Sequence, residues 1–186
     1  GNTPVVIDAT ADIRMAVNSI LLSKTFDNGM ICASEQAVVV EAPVMDAVRQ
    51  EFAWRGAHFA SPSEAEQLAA VIFKNGSLNS AIVGRSACDI ARLAGFSVPE
   101  DTKVLIAERE RVDAADPFAH EKLSPVLGFY RAENFSAAVD MARQLVLLGG
   151  AGHTSVLYTD EAEDGRITEF QNAMCTGRVL VNMPAS

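Results

Sequence analysis

The sequence predicts an α/β domain of three layers, a mostly parallel sheet with helices on both faces. Three observations predict it. Short β-rich runs alternate with longer segments of helical period along the 186 residues. The β-rich runs are nearly continuous in apolar residues, as strands covered on both faces must be. No internal repeat, low-complexity linker or charge block breaks the alternation, so residues 1–186 are expected to form a single domain.

The elements follow in order. Strands are expected at Pro4–Asp8, Gln36–Glu41, Lys103–Ala107, Val126–Arg131, Thr154–Thr159 and Arg178–Met183. Between the first two, Ala11–Phe26 places Ile13, Ala16, Val17, Ile20 and Leu21 on one helical stripe. Ser61-Pro62-Ser63-Glu64 opens a second helix with a capping hydroxyl, a proline at the first position and a glutamate three residues after the cap. That helix carries Leu68, Val71 and Ile72 and is expected to stop at Asn75-Gly76. Ala87–Ala94 is a short helix ended by Gly95, and Asn134 caps one that runs to Leu148 and stops at Gly149-Gly150. Another helix is expected to end at Met174. The longest irregular stretch is Glu108–Pro125, and long loops in such domains are more often functional than idle.

Composition narrows the function. The chain is 49% hydrophobic and 21% charged, which is globular. A net charge of −9 argues against a nucleic-acid surface. Backbone amides at a helix N-terminus would still accept a phosphate-bearing cofactor. Cys32, Cys88 and Cys175 fit neither a disulfide framework nor a zinc cluster, and no metal site is expected. With no signal peptide and no apolar run long enough to span a bilayer, the expected setting is the reducing cytoplasm, with no membrane partner. Gly1-Asn2-Thr3-Pro4 leads straight into one apolar run and Pro184-Ala185-Ser186 follows another, the expectation for a segment of a longer protein.

Local sequence makes Cys32 ambiguous. It lies in Thr25-Phe26-Asp27-Asn28-Gly29-Met30-Ile31-Cys32-Ala33-Ser34-Glu35-Gln36, between a helix end and a strand start. A thiol there is presented on a connection, yet an isolated cysteine most often serves as a small buried hydrophobe. Glu121-Lys122 reads locally as a solvated loop pair, and His153, just ahead of a strand, as a satisfied structural histidine. His58 sits in an edge segment. Cys88 is expected in the core beside Ile90, Ala91 and Leu93, and Cys175 to be unreactive. Gly149-Gly150-Ala151-Gly152 follows a helix and precedes a strand, the reverse of a dinucleotide fingerprint, so it reads as a helix stop and turn.

The Cys32 stretch resembles the active-cysteine motif of the aldehyde dehydrogenase superfamily, most closely the CoA-acylating branch found in bifunctional aldehyde–alcohol dehydrogenases. Gly1–Val5 resembles the start of that family's catalytic domain. Pro117-Phe118-Ala119-His120-Glu121-Lys122-Leu123-Ser124-Pro125 resembles its glutamate loop. Gly149–Ser155 resembles a third signature, and Asn182–Ser186 the closing strand. The motifs run in family order along the whole chain.

The resemblance implies a chemistry and its parts. Cys32 would attack a short aldehyde, acetaldehyde being expected. The adduct would pass hydride to NAD, and the cysteine thioester would be resolved by CoA. The backbone amide of Cys32 would help hold the oxyanion, with a side-chain amide from a nucleotide-binding domain outside this chain completing the hole. Glu121 would meet the nicotinamide ribose and Leu123 the nicotinamide, at a position where hydrolytic relatives often carry phenylalanine. His153 would take the proton of the CoA thiol or shape the site; His120 would orient the loop. Two alternatives stay open: a hydrolytic aldehyde dehydrogenase in which water releases the acid, and a segment serving mainly assembly. Relatives of this kind form dimers or filaments, and Val179–Met183 would suit pairing at a sheet edge.

Overall fold

The computed structural model describes residues 1–186. Nine strands and six α-helices follow one another as β1 (Thr3–Ile7), α1 (Ile13–Thr25), β2 (Glu35–Glu41), α2 (Met45–Trp54), β3 (Ala57–Phe59), α3 (Pro62–Ile72), β4 (Phe73–Lys74), β5 (Ser77–Leu78), α4 (Ala87–Ala94), β6 (Val104–Arg109), β7 (Val126–Ala132), α5 (Phe135–Gly149), β8 (Thr154–Tyr158), α6 (Asp164–Ala173) and β9 (Arg178–Val181). The six expected strands are present with bounds shifted by one or two residues. Seven strands form one sheet in the order β3-β6-β7-β2-β1-β8-β9, and every pairing in it is parallel.

Alternation along the strands assigns the layers. Val5, Ile7, Val38 and Val40 face Ala16, Val17, Ile20 and Phe52 of α1 and α2. Val6, Val39 and Leu157 face Ala138, Ala142 and Leu145 of α5 and Phe170 of α6. Toward the β3 end, Leu105 and Ala107 pack on Leu68, Ile72 and Ile90 of α3 and α4. Because both faces are covered, every residue of β1 and β2 is buried, which explains the apolar runs Pro4–Ile7 and Ala37–Val40.

The caps behave as their chemistry requires. Ser61 and Glu64 form the reciprocal capping box with Pro62 at the first turn. Asn134 accepts from the Ala137 N–H at the start of α5. Gly150 closes α5 with φ of 86°, so Gly149–Gly152 is indeed a helix stop and turn.

Two expectations are corrected, and one helix carries no clear sequence signal. Asn75-Gly76 is not the end of α3, which stops at Ile72. It is the two-residue turn of the β4–β5 hairpin, with φ of 53° and 77°. Both positions need the left-handed region, which a helix stop and a tight hairpin demand alike. Cys88 is half-buried rather than core, its Sγ directed at the carbonyls of Pro99 and Glu100 at 3.3 and 3.5 Å. It lies beside the Ala87–Ile90–Ala91 stripe that α4 buries, and Leu93 on the same helix is exposed. Helix α2 was not foreseen, because only Met45, Val48 and Phe52 of its ten residues are buried.

Candidate active site at the amino ends of the strands

In a parallel sheet all strands start at the same edge. The segments before β1, β2, β7, β8 and β9 are therefore neighbours, and they carry Gly1, Cys32, Glu121, His153 and Cys175.

Cys32 is exposed. The chain leaves α1 through Asp27, Asn28 and Gly29, all with positive φ (49°, 50° and 73°), which reverses its direction. Gly29 is required twice over, since a Cβ there would also come within 2.7 Å of the Ser124 carbonyl oxygen. A turn then closes from the Ser34 N–H to the Ile31 carbonyl at 2.9 Å, with Cys32 at its tip and β2 starting at Glu35. The Cys32 N–H donates to no backbone carbonyl.

The glutamate loop sits against this turn. Glu121 is one-third exposed, and its Oε1 accepts from the Gly1 amino group at 2.6 Å. A peptide nitrogen at that place would donate a single neutral hydrogen bond. Gly1 also lies so close to His153 that a Cβ on it would fall 2.6 Å from the imidazole Cγ. His153 is half-buried, its Nδ1 3.1 Å from Thr154 Oγ1. His120 bonds the Ala114 carbonyl at 2.7 Å and so braces the loop from within. His58 pairs with Glu64 at 3.0 Å on the edge strand β3, a structural role. Exposed Cys175 lends its carbonyl to the Gly152 N–H at 2.7 Å, supporting the turn before His153.

Lys122 departs from the local reading. It is fully buried, and its Nζ donates to the Phe118 and His120 carbonyls at 2.8 and 2.6 Å instead of joining Glu121 in solvent. Burial, then the neighbouring Lys24, push its amine well below the usual lysine range. Lys24 is buried as well and is lowered to about 7 by desolvation, although Glu35 and Glu121 pull it back up. Burial likewise raises the carboxyl of Glu35. Leu123 adopts φ of 45°, a left-handed backbone that costs a branched side chain about 1 kcal/mol or more.

Sequence reasoning missed Asn2 and Gln36. Asn2 is buried and ties the glutamate loop to α5 through the Ala119 and Leu145 carbonyls at 2.6 and 2.7 Å. Gln36 occupies the base of β2, fully buried. A polar residue at the head of an apolar strand was the available signal. Two surface cavities of about 450 and 480 Å³ lie elsewhere, beside α4 and beside the ends of β6 and β7; Cys32, Glu121 and His153 line neither. No group of side chains is suited to a metal ion.

The fold and the site define a parallel α/β sheet that presents a free thiol, a carboxylate and an imidazole at the amino ends of its strands. The chain is homologous, over its whole length, to one segment of the acylating aldehyde dehydrogenases. It is 58% identical over 187 residues to the bifunctional aldehyde-alcohol dehydrogenase of Escherichia coli strain K12, covering 100% of this chain and 21% of that protein. The crystal structure of an acetylating aldehyde dehydrogenase from Geobacillus thermoglucosidasius superposes with a TM-score of 0.96 at 40% identity, covering 100% of this chain and 40% of that one. A propionaldehyde dehydrogenase of Rhodopseudomonas palustris, solved with bound CoA and an acylated cysteine, gives a TM-score of 0.89 at 26% identity, with coverage of 100% and 41%. No protein-family model matches the chain. The chain therefore spans about a fifth of the length of the curated aldehyde–alcohol dehydrogenases it matches.

Proposed function

We propose that this chain supplies the cysteine side of a CoA-acylating aldehyde dehydrogenase that oxidises a short aldehyde, acetaldehyde in the first instance. The single observation that carries the reading is Cys32: an exposed thiol on a turn, with an unengaged N–H of its own, at the edge that also holds Glu121 and His153. The Cys32 thiolate adds to the aldehyde carbon, and the Cys32 N–H receives the developing oxyanion. A bound nicotinamide supplies the hydride acceptor. The loss of hydride leaves a thioester on Cys32. The CoA thiolate then adds to that thioester and expels the Cys32 thiolate, with His153 taking the CoA thiol proton.

The residues present fit a nicotinamide cofactor. Glu121 is one-third exposed on the loop that packs against the nucleophile turn, a suitable acceptor for ribose hydroxyls. Half-buried Leu123 is apolar and adjacent. NAD is our choice over NADP, and the groups that decide between them are proposed to lie in a nucleotide-binding domain outside residues 1–186. The names of the relatives favour CoA over water as the acyl acceptor, as does CoA bound to a homologue with an acylated cysteine. Three free thiols are compatible with a cytoplasmic setting. No helix is long and apolar enough to cross a membrane. Strand β9 ends the sheet with one side of its backbone unpaired, which suits assembly with another copy.

The test is made on the intact protein. Aldehyde oxidation should require CoA and produce acyl-CoA, and Cys32→Ala should abolish it, a loss of about 10⁴-fold or more. Acid release without CoA would sink the acylating reading, and a fully active Cys32→Ala protein would sink the mechanism.

A further inference from the structure

The reaction described above uses Cys32, Glu121 and His153, yet the polar group that touches the most segments of this edge is the side-chain amide of Gln36. Its Oε1 accepts from the Lys122 backbone N–H at 2.9 Å and from Lys24 Nζ at 3.3 Å. Its Nε2 faces the carbonyl and hydroxyl oxygens of Ser34 at 3.3 and 3.4 Å. One buried amide thus spans the nucleophile turn, the end of α1 and the glutamate loop, the last 86 residues further along the chain.

These bonds have no substitute. The Lys122 N–H makes no backbone hydrogen bond, so without Gln36 it would be a buried orphan. Leu123 follows directly, in its left-handed conformation. Its carbonyl is fixed from the other side by the Gly84 N–H at 3.1 Å. A strained backbone persists only where its surroundings over-determine it. Here the restraints are Gln36 on one side of Leu123 and Gly84 on the other. Glu121 is one residue before the first restraint, and Ser34 is two residues after Cys32.

We propose that Gln36 is a positioning residue of the site: its amide clamps the strained glutamate loop onto the nucleophile turn and so sets Glu121 and Leu123 relative to Cys32. The inference rests on the proposed function. It assigns Gln36 no contact with substrate or cofactor. Its removal therefore slows the chemical step while leaving aldehyde binding little changed.

The experiment is steady-state kinetics on the intact protein with aldehyde, CoA and NAD, alongside thermal unfolding and the rate at which iodoacetamide labels the Cys32 peptide. A displacement of about 1 Å in such a site costs up to about 100-fold, so Gln36→Leu should lower kcat by about tenfold or more. The KM for aldehyde should stay within about twofold, as expected when a transition-state interaction is lost. Gln36→Glu keeps an acceptor for the Lys122 N–H but loses the donor to the Ser34 carbonyl, so it should recover only part of kcat, about threefold above Gln36→Leu. A folded Gln36→Leu protein with kcat within about twofold of the natural one overturns the inference. If Gln36→Leu does not fold, Gln36→Asn decides, since its amide is set back by one methylene and cannot span both loops. It should lose about fivefold in kcat, and a loss below about twofold overturns the inference. A Cys32→Ala control separates the two readings. If Cys32→Ala is inactive while the Gln36 variants are normal, only the clamp is refuted; an active Cys32→Ala refutes the proposed function itself.

Discussion

At the carboxyl ends of β1, β2, β8 and β9 stand Asp8, Glu41, Thr159 and Asn182, and they satisfy one another. Asp8 accepts from the Thr10 N–H and hydroxyl at 2.7 and 2.8 Å and from Thr159. Arg166 reaches Glu41 at 2.9 Å and Asp8 at 3.3 Å, and Asn182 accepts from the Thr159 N–H at 3.0 Å. At the amino ends the picture is reversed. Four of the six buried side-chain atoms without a hydrogen-bond partner belong to Asn2, Thr3, Glu35 and Ser124. Two buried amines, Lys24 and Lys122, have no carboxylate within ion-pair distance. Open α/β sheets usually bind ligands outside the carboxyl ends of their strands. In this sheet that edge is closed at β1, β2, β8 and β9 by its own ion pairs and hydrogen bonds, and a cavity of about 480 Å³ opens beside the ends of β6 and β7. The exposed thiol stands at the opposite edge. Polar groups held in unfavourable surroundings mark the edge proposed to do chemistry, and paired ones mark the edge that holds the fold together.

The contrast can be broken at either end. Cys32→Ala carries the largest expected effect, loss of acyl transfer by about 10⁴-fold with little change in stability, read as turnover against melting temperature. Arg166→Met should do the opposite. It removes the cation from two buried carboxylates that keep their other hydrogen bonds and should cost roughly 2–4 kcal/mol in denaturant unfolding, while the rate per folded site stays unchanged. A rate loss in that variant would show that the carboxyl edge also serves the reaction. Lys24→Met should stabilise the protein by about 2 kcal/mol at pH 7, because it removes a poorly paired buried amine. The amine lies at about 7 when folded and near 10.4 when unfolded. Between these values the unfolded chain holds the extra proton, so stability of the natural protein rises with pH there. The advantage of Lys24→Met should therefore be greatest below about pH 7 and fade toward pH 10, as melting curves across that range would reveal. The smallest effect is expected from Glu121→Gln, about a tenfold rise in the KM for NAD with a milder loss in kcat. An unchanged KM would remove Glu121 from cofactor binding.

The six long strands were legible in the sequence because a parallel strand buried on both faces writes an uninterrupted apolar run. Gly149-Gly150 and Ser61-Pro62 marked helix ends for equally local reasons. Cys32 was placed on a connection by the Asp27-Asn28-Gly29 turn ahead of it. Where the sequence misled, two structures share one local signal. Asn75-Gly76 supplies the same left-handed pair to a hairpin as to a helix stop, and Lys122 looks like any loop cation until its carbonyl partners are known. Gln36 was invisible as a clamp because the groups it joins come from segments 86 residues apart, and nothing in a single stretch of chain records that meeting.

The position of β1 has a consequence in time. This first strand lies between β2 and β8, whose pairing residues begin at Glu35 and Val156. During synthesis β1 can pair on one side early, but its other flank stays open until about 150 further residues have been made. At ribosomal speeds of 5–20 residues per second that interval is on the order of ten seconds. For that time one flank of a mostly apolar strand has no partner, an edge open to pairing with another chain instead.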